Sequence, residues 1–182
     1  MKYNANIHHR RSIRLKDYDY SQAGVYFVTI GTHNKECTLG EVLNGKIRLS
    51  EYGQIAADSW LWLSQQYLYV DLDEWIIMPN HLHGIIVINT ECRGGSRTAP
   101  TNMIKRKPLG RLIGALKTVS SKHINAIRNM PGALVWQRNY YEHIIRNEKE
   151  LDQIREYILN NPLQWELDNE HPQNIKKIQH HD

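Results

Sequence analysis

The chain has 182 residues, of which 23 are Lys or Arg and 19 are Asp or Glu, for a formal net charge of +4 at pH 7. This length suits one domain with a single hydrophobic core and is sufficient for a small enzyme. Two cysteines without Cys-x-x-Cys spacing, no apolar run near the ~18 residues of a membrane span, and a polar N-terminus argue against a disulfide scaffold, a thiolate zinc site, a membrane protein and a secreted protein. We therefore expect a cytoplasmic location.

The chain is predicted to form one domain over residues 1–182, with a basic N-terminal arm (1–20), a flexible basic loop (90–107) and a C-terminal tail without periodicity (168–182). The arm and the loop each contain a run of basic residues that no acidic residue interrupts: Arg10, Arg11, Arg14 and Lys16 in the arm, and Arg93, Arg97, Lys105, Arg106 and Lys107 in the loop. Such clusters indicate a polyanionic partner, usually one that carries phosphates. Solvated segments that contact nothing account for the same charge pattern.

The first half of the chain contains strand, hairpin and helix signals. Residues 25–30 (VYFVTI) are rich in β-branched and aromatic residues and predict a central strand. Asn44-Gly45 between two apolar runs is a strong hairpin signal. Ser50 is the predicted N-cap of a helix that continues to about Tyr67.

A second hairpin is predicted from residues 70–78 and 81–89, joined by the turn Pro79-Asn80. Alternation along its second strand places two sets of side chains on opposite faces: Leu82, Ile86 and Ile88 on one face, and His81, His83, Ile85 and Val87 on the other. Both sets are largely apolar, which predicts a strand in the middle of a sheet with a covering layer on each face.

Two helices and one strand are predicted in the second half. An amphipathic helix follows Pro108, and residues 140–145 form the last strand. The final helix is capped by Asn147, buries Leu151, Ile154 and Ile158, and ends before Pro162. Tyr157 and Asn161 are four residues apart and therefore lie together on one side of this helix.

The two histidines of the middle strand suit a metal ion. His81 and His83 point to the same side of the strand, about 7 Å apart along the backbone. Imidazole nitrogens and an amide oxygen can hold a divalent cation and leave positions for phosphate oxygens. A tyrosine hydroxyl that is helped to lose its proton can then attack the phosphodiester.

The motifs resemble a known family. Met78-Pro79-Asn80-His81-Leu82-His83-Gly84 resembles the His-hydrophobic-His motif of the HUH single-strand endonucleases. Three further motifs in the same order resemble REP-associated tyrosine transposases, which are relatives of the single-tyrosine insertion-sequence transposases: Tyr18-Asp19-Tyr20 with Gly24-x-Tyr26-Phe27-Val28-Thr29, Trp136-Gln137-Arg138-Asn139-Tyr140-Tyr141-Glu142-His143, and Arg155-Glu156-Tyr157-Ile158-Leu159-Asn160-Asn161-Pro162. The resemblance extends from about Arg11 to Trp165.

This resemblance implies an α+β fold with a central antiparallel sheet flanked by helices, of the ferredoxin-like type. It implies that His81 and His83 bind Mg²⁺ or Mn²⁺, that Tyr157 is the catalytic nucleophile, and that Asn161 is the third side-chain ligand, where some relatives carry Gln. It implies cleavage of single-stranded DNA near a hairpin, with a 5′-phosphotyrosine link and a free 3′-OH. The residues expected to contact the DNA backbone are Arg10, Arg11, Arg14, Lys105, Arg106 and Lys107.

Several alternatives stay open at this point. A basic α+β domain with aromatic residues on its sheet also suits a nucleic-acid-binding module without catalysis. A zinc hydrolase would combine His81 and His83 with His123 or His143 and would form no covalent adduct. Tyr140 and Tyr141 are rival nucleophiles. The REP-associated proteins and their relatives include monomers and homodimers, and the sequence does not choose between them.

Overall fold

The structure, a computed structural model, describes residues 19–90, 106–168 and 171–172. The strands are β1 (Gly24–Gly31), β2 (Gly40–Leu43), β3 (Lys46–Leu49), β4 (Val70–Met78), β5 (His81–Ile88) and β6 (Tyr141–Ile145). The α-helices are α1 (Glu51–Gln66), α2 (Leu109–Ile127) and α3 (Glu148–Asn160), and two 3₁₀ segments cover His33–Lys35 and Asn161–Leu167. Four antiparallel strands form a sheet in the order β4-β5-β1-β6, while β2 and β3 form a separate hairpin.

Both faces of this sheet are covered, as the sequence predicts for β1 and β5. The larger core joins one face to α1 and α2 through Tyr26, Trp60, Leu82, Ile86 and Leu116, among others. The smaller core joins the other face to α3 through Phe27, Ile85, Ile145 and Ile158. The predicted α+β fold with a central antiparallel sheet is confirmed, and the histidine-bearing face of β5 is the one that α3 covers.

The predicted helix caps and the predicted hairpin turn are present in the structure. The Ser50 hydroxyl accepts a hydrogen bond from the Gly53 N–H, and the Asn147 side chain accepts one from the Glu150 N–H. The Asn44-Gly45 turn has positive φ at both residues, as a two-residue hairpin requires. None of the helices that the structure describes has the length and apolar character needed to cross a membrane.

The end of α3 differs from the prediction of a simple stop. The α-helix ends at Asn160, yet the chain continues directly into the 3₁₀ helix Asn161–Leu167, with Pro162 in its first turn. Proline is tolerated there because the N–H that it lacks would have no partner within the helix. The continuation holds Asn161 against the sheet, where its side chain is buried, and brings Asp168 to the same region.

Gly84, the last residue of the Met78–Gly84 motif, leaves room for a buried tryptophan of the larger core. A Cβ placed on Gly84 would lie 2.4 Å from a ring carbon of Trp60, whose side chain is fully buried on α1. The indole therefore occupies the space that any side chain at position 84 would need. This close approach packs α1 against the middle of β5, directly behind the histidine pair.

We expect Gly84→Ala to lower the free energy of unfolding by about 1–3 kcal/mol, because the added methyl group must displace the buried indole. Urea denaturation followed by circular dichroism measures this change. Gly114→Ala is the matched control, since among the described residues no atom outside the local backbone of α2 lies within 4 Å of the position that its added methyl group would take on the exposed side of the helix. It should be neutral or stabilising by up to about 1 kcal/mol. Equal stabilities of the two variants would contradict the role given to Trp60.

Candidate catalytic site

His81 and His83 lie at the start of β5, and both imidazoles are buried, with ring centroids 4.4 Å apart. The side-chain amide of Asn80 donates to the Lys35 carbonyl at 3.1 Å, and its oxygen lies 2.8 Å from Nδ1 of His81. Because that oxygen can only accept, Nδ1 of His81 carries the hydrogen and Nε2 carries the lone pair. His81 is therefore held in the form that binds metals.

The second imidazole is oriented from the neighbouring strand. Nδ1 of His83 lies 2.8 Å from the Thr29 hydroxyl on β1, and the two residues are register partners. The ring also stacks on Phe27, with centroids 5.4 Å apart. These contacts leave Nε2 of His83 directed towards α3.

Tyr157 on α3 faces this imidazole, as the resemblance implies. Its hydroxyl lies 3.2 Å from Nε2 of His83, and its ring contacts Phe27 edge-on. Burial raises the pKa of the Tyr157 phenol, the charge of Asp168 raises it further, and a hydrogen bond from Asn161 opposes both effects. The side chain remains 44% exposed, so that a ligand in the cleft can reach it.

An ion pair fixes α3 to the sheet close to Tyr157. Arg155 contacts Asp73 through two hydrogen bonds, Nε to Oδ1 at 2.8 Å and Nη2 to Oδ2 at 2.6 Å. Asp73 lies in an irregularity of β4, between Leu72 and Trp75, where the register with β5 shifts. Such bulges redirect a side chain, here towards α3. The hydrogen bonds from Arg155 keep the pKa of Asp73 below its usual value.

The donor atoms around the histidines fit a divalent cation. Ligand atoms of His81, His83 and Asp168 all lie within 4.8 Å of one another. Within the described residues, Nε2 of His81 and Oδ1 of Asn161 are buried and have no hydrogen-bond partner. Two neutral imidazoles, one carboxylate and one amide oxygen are a donor set that a divalent metal can use. Sequence reasoning missed Asp168, because only the unpredicted 3₁₀ helix carries it back to the histidines.

A cleft of about 400 Å³ opens in front of this cluster. Its walls are formed by Phe27, Thr29, His83, Tyr141, Tyr157, Asn161, Gln164, Leu167 and Asp168. The cleft brings together Tyr157 and Asn161 as expected. Tyr141 also lines it, whereas Tyr140 packs against the core on the opposite face of the sheet.

The structure describes two of the residues predicted to contact the DNA backbone, Arg106 and Lys107. Arg10, Arg11, Arg14 and Lys105 fall outside the described residues. Arg106 donates to the Asn89 carbonyl at 2.9 Å, and the ammonium of Lys107 lies over the Tyr67 ring. Asn89 follows the last residue of β5, so Arg106 is at the end of that strand opposite to His81, roughly 25 Å away by strand geometry. DNA contact by Arg106 and Lys107 stays a prediction.

Neither histidine of the zinc-hydrolase alternative joins the cluster. Nε2 of His143 lies 2.7 Å from the Glu150 carboxylate, and His123 is exposed on α2, on the other side of the sheet. The third acidic or imidazole ligand that the described residues offer is Asp168. A hydrolase built on His123 or His143 therefore has no support in the structure.

Burial keeps the imidazole pair neutral. It lowers the pKa of His83 to about 3, with a further contribution from the charge of Lys35. The pKa of His81 is lowered well below its usual value by burial, then by His83 and Lys35. Both rings are consequently uncharged near neutral pH, which is the state required of a metal ligand.

Comparison with known proteins identifies a relative by sequence and a solved structure with a similar fold. No protein-family model matches the chain. An uncharacterized protein of Haemophilus influenzae is 44% identical over 172 residues, which cover 92% of this chain and 96% of that protein. The solved structure of a REP-associated tyrosine transposase bound to a REP hairpin aligns with a TM-score of 0.56 at 17% identity, over 85% of this chain and 74% of the other. The fold expected from the motifs is thereby confirmed.

The low pKa of His83 predicts a loss of stability in acid. The unfolded chain takes up a proton near pH 6.5 and the folded chain only near pH 3, so the free energy of unfolding falls as the pH drops below 6.5, by up to about 1.4 kcal/mol per pH unit. The titratable groups close to His83 are His81, Tyr157 and Asp168, and the charge of Lys35 also acts on it.

His83→Gln removes this proton and should give a shallower pH dependence than the wild type. Urea unfolding in EDTA between about pH 7 and pH 4 measures both curves. EDTA keeps a bound metal from adding its own pH dependence. Parallel curves would show that His83 is not held neutral by the fold.

Proposed function

Because the chain belongs to the same family as the uncharacterized Haemophilus influenzae protein and has the α+β fold of a REP-associated tyrosine transposase, we propose that it is a metal-dependent tyrosine transposase that cleaves single-stranded DNA near hairpins. The observation that carries this proposal is the 3.2 Å contact between the Tyr157 hydroxyl and Nε2 of His83, beside a set of buried metal-binding donors. A tyrosine hydroxyl, a group of donor atoms that suit a cation and an open cleft occur together there. A nucleic-acid-binding module without catalysis would need none of the three.

Tyr157 is the proposed nucleophile. Its oxygen loses its proton and attacks the phosphorus atom, and the bond to the 3′ oxygen breaks. The departing 3′ oxygen takes up a proton, so the products are a 5′-phosphotyrosine and a free 3′-OH. The edge contact with Phe27 and the ion pair of Arg155 hold the phenol in front of His83. Because burial raises its pKa, the phenol is protonated before substrate binds, and loss of this proton is part of the reaction.

The proposed cation is Mg²⁺ or Mn²⁺, held by His81, His83, Asn161 and Asp168. When bound, it supplies Lewis acidity that withdraws charge from the scissile phosphate. Asn80 and Thr29 orient the two imidazoles through their Nδ1 atoms, so that the Nε2 atoms are available as ligands. The 3₁₀ helix that begins at Asn161 positions the two oxygen donors.

We propose that the basic arm and loop hold the DNA backbone. The residues involved are Arg10, Arg11, Arg14, Lys105, Arg106 and Lys107. Phosphate contacts of this kind determine position and affinity rather than sequence preference. Cleavage itself takes place at the cleft on the α3 side of the sheet.

Tyr157→Phe should abolish the covalent protein–DNA adduct and leave DNA binding intact, because it removes only the attacking oxygen. The assay incubates the protein with Mg²⁺ and labelled single-stranded DNA that bears a hairpin, chosen by binding selection, and detects the adduct on a denaturing gel. Tyr141→Phe is the matched control, since this tyrosine lines the same cleft and is similarly exposed. An adduct that survives in Tyr157→Phe and disappears in Tyr141→Phe would assign the nucleophile to Tyr141.

Metal binding tests the donor set without DNA. Titration with Mn²⁺, followed by electron paramagnetic resonance, should show a bound ion in the wild type and none in His81→Ala. Asp168→Asn should weaken binding about tenfold or more, because it removes the only carboxylate of the set. His143→Ala is the control and should bind as the wild type does. Wild-type affinity in Asp168→Asn would exclude this carboxylate as a ligand.

A further inference from the structure

A lysine lies beside the histidine pair, on the turn that follows β1. The ammonium group of Lys35 is 2.9 Å from the position that a Cβ on Gly31 would occupy, and Gly31 is the register partner of His81. The side chain is partly buried. The ammonium is therefore held over the end of β1, next to the strand position of the first imidazole.

The backbone at this turn is strained and tightly held. Asn34 and Lys35 have φ values of 53° and 58°, a region that costs non-glycine residues about 1 kcal/mol or more each. The Asn80 side chain donates to the Lys35 carbonyl, and its backbone carbonyl accepts from the N–H of Thr32. Since the same amide orients His81, it fixes the backbone of Lys35 relative to that imidazole. Strain that the fold maintains in this way is characteristic of functional sites.

The ammonium of Lys35 lies on the face of the sheet that carries the histidines. Register partners on neighbouring antiparallel strands point to the same face, so the Cβ position of Gly31, against which the ammonium lies, points to the side of His81. The imidazoles are neutral and contribute no positive charge of their own. A phosphodiester in front of them brings a negative charge that a nearby ammonium would stabilise in a partly buried, low-dielectric position.

We infer that Lys35 is a further substrate-binding residue of this site, whose ammonium group contacts a nonbridging oxygen of the phosphate that Tyr157 attacks. The inference rests on the proposed function, since it concerns the same phosphate. The competing role for Lys35 is simple compensation of the Asp168 charge, which also attracts it. The two roles make different predictions for DNA affinity. Only a phosphate-binding Lys35 makes the affinity depend on the charge of one particular DNA phosphate.

The test is a scan of the DNA with neutral phosphates. In a hairpin-bearing oligonucleotide selected for binding, each phosphate in turn is replaced by a methylphosphonate, and the dissociation constant is measured in EDTA. The wild type should lose about tenfold or more in affinity at the contacted phosphate, as expected for loss of a charged hydrogen bond. Lys35→Met, which keeps the length of the side chain without its charge, should change less than about twofold at that position.

Three further variants complete the comparison. Lys35→Arg retains the charge and should restore the sensitivity to that phosphate. Lys35→Gln is a second neutral variant should Lys35→Met fail to fold. Lys149→Ala removes one exposed positive charge on α3 and should give the wild-type scan.

Identical scans for the wild type and the neutral variants would overturn the inference and leave charge compensation of Asp168. The inference would also be overturned if the phosphate whose neutralisation no longer weakens binding in Lys35→Met differed from the phosphate joined to tyrosine in the adduct assay. An adduct without this coupling leaves the transposase proposal standing and removes Lys35 from it. Coupling without an adduct would show that Lys35 binds a phosphate at a site that does not cleave DNA.

Discussion

The side chain of Asn80 is the contact on which the site depends. It occupies the turn between β4 and β5, is fully buried, and joins the Lys35 turn to the ring of His81. Its backbone carbonyl meanwhile accepts hydrogen bonds from the N–H and the hydroxyl of Thr32. One residue thus sets the tautomer of an imidazole and the position of a lysine. An aspartate could not do both, because it has no N–H group to donate to the Lys35 carbonyl.

The position of β5 in the middle of the sheet keeps the two imidazoles buried and uncharged. With β1 and β4 on either side and a helix layer on each face, the two imidazoles are removed from water. A surface pair of histidines would be partly protonated near neutral pH, and each proton would compete with a cation for the same lone pair. Burial removes that competition because it keeps both imidazoles neutral, and it lowers the stability of the fold in acid.

The parts of the structure that could be read from sequence are those that rest on local patterns. Alternation along residues 81–88 places the histidines on one face, the Asn44-Gly45 turn needs only its two residues, and the caps at Ser50 and Asn147 follow from their side chains. That Tyr157 faces the histidines was predicted from the family resemblance alone. The spacing of residues within a helix does not indicate which distant strand the helix packs against.

The features that sequence could not supply depend on contacts between distant segments. Asp168 reaches the site only because a 3₁₀ helix continues past Pro162, and Lys35 only because a turn with two left-handed residues is clamped by Asn80. Asn34 accepts a positive φ readily, but Lys35 does not, and no local pattern predicts that the chain stays helical after Pro162. The signal that was available is weaker: Asn80 stands in the turn directly before the histidines, where an Asn is explained equally well by turn formation alone.

Hydrophobic packing and an ion pair both attach α3 to the sheet, and each determines a different part of its position. The apolar face of the helix is narrow, and Ile158 is its one fully buried residue in the described structure, so packing alone allows the helix to slide or turn. The two-pronged contact between Arg155 and Asp73 has a fixed direction as well as a fixed length, since a guanidinium meets a carboxylate in one plane. It acts two residues before Tyr157, at the irregularity of β4 that turns Asp73 towards the helix. Hydrophobic burial thus determines on which face of the sheet α3 lies. The ion pair determines the position of the Tyr157 phenol along that face.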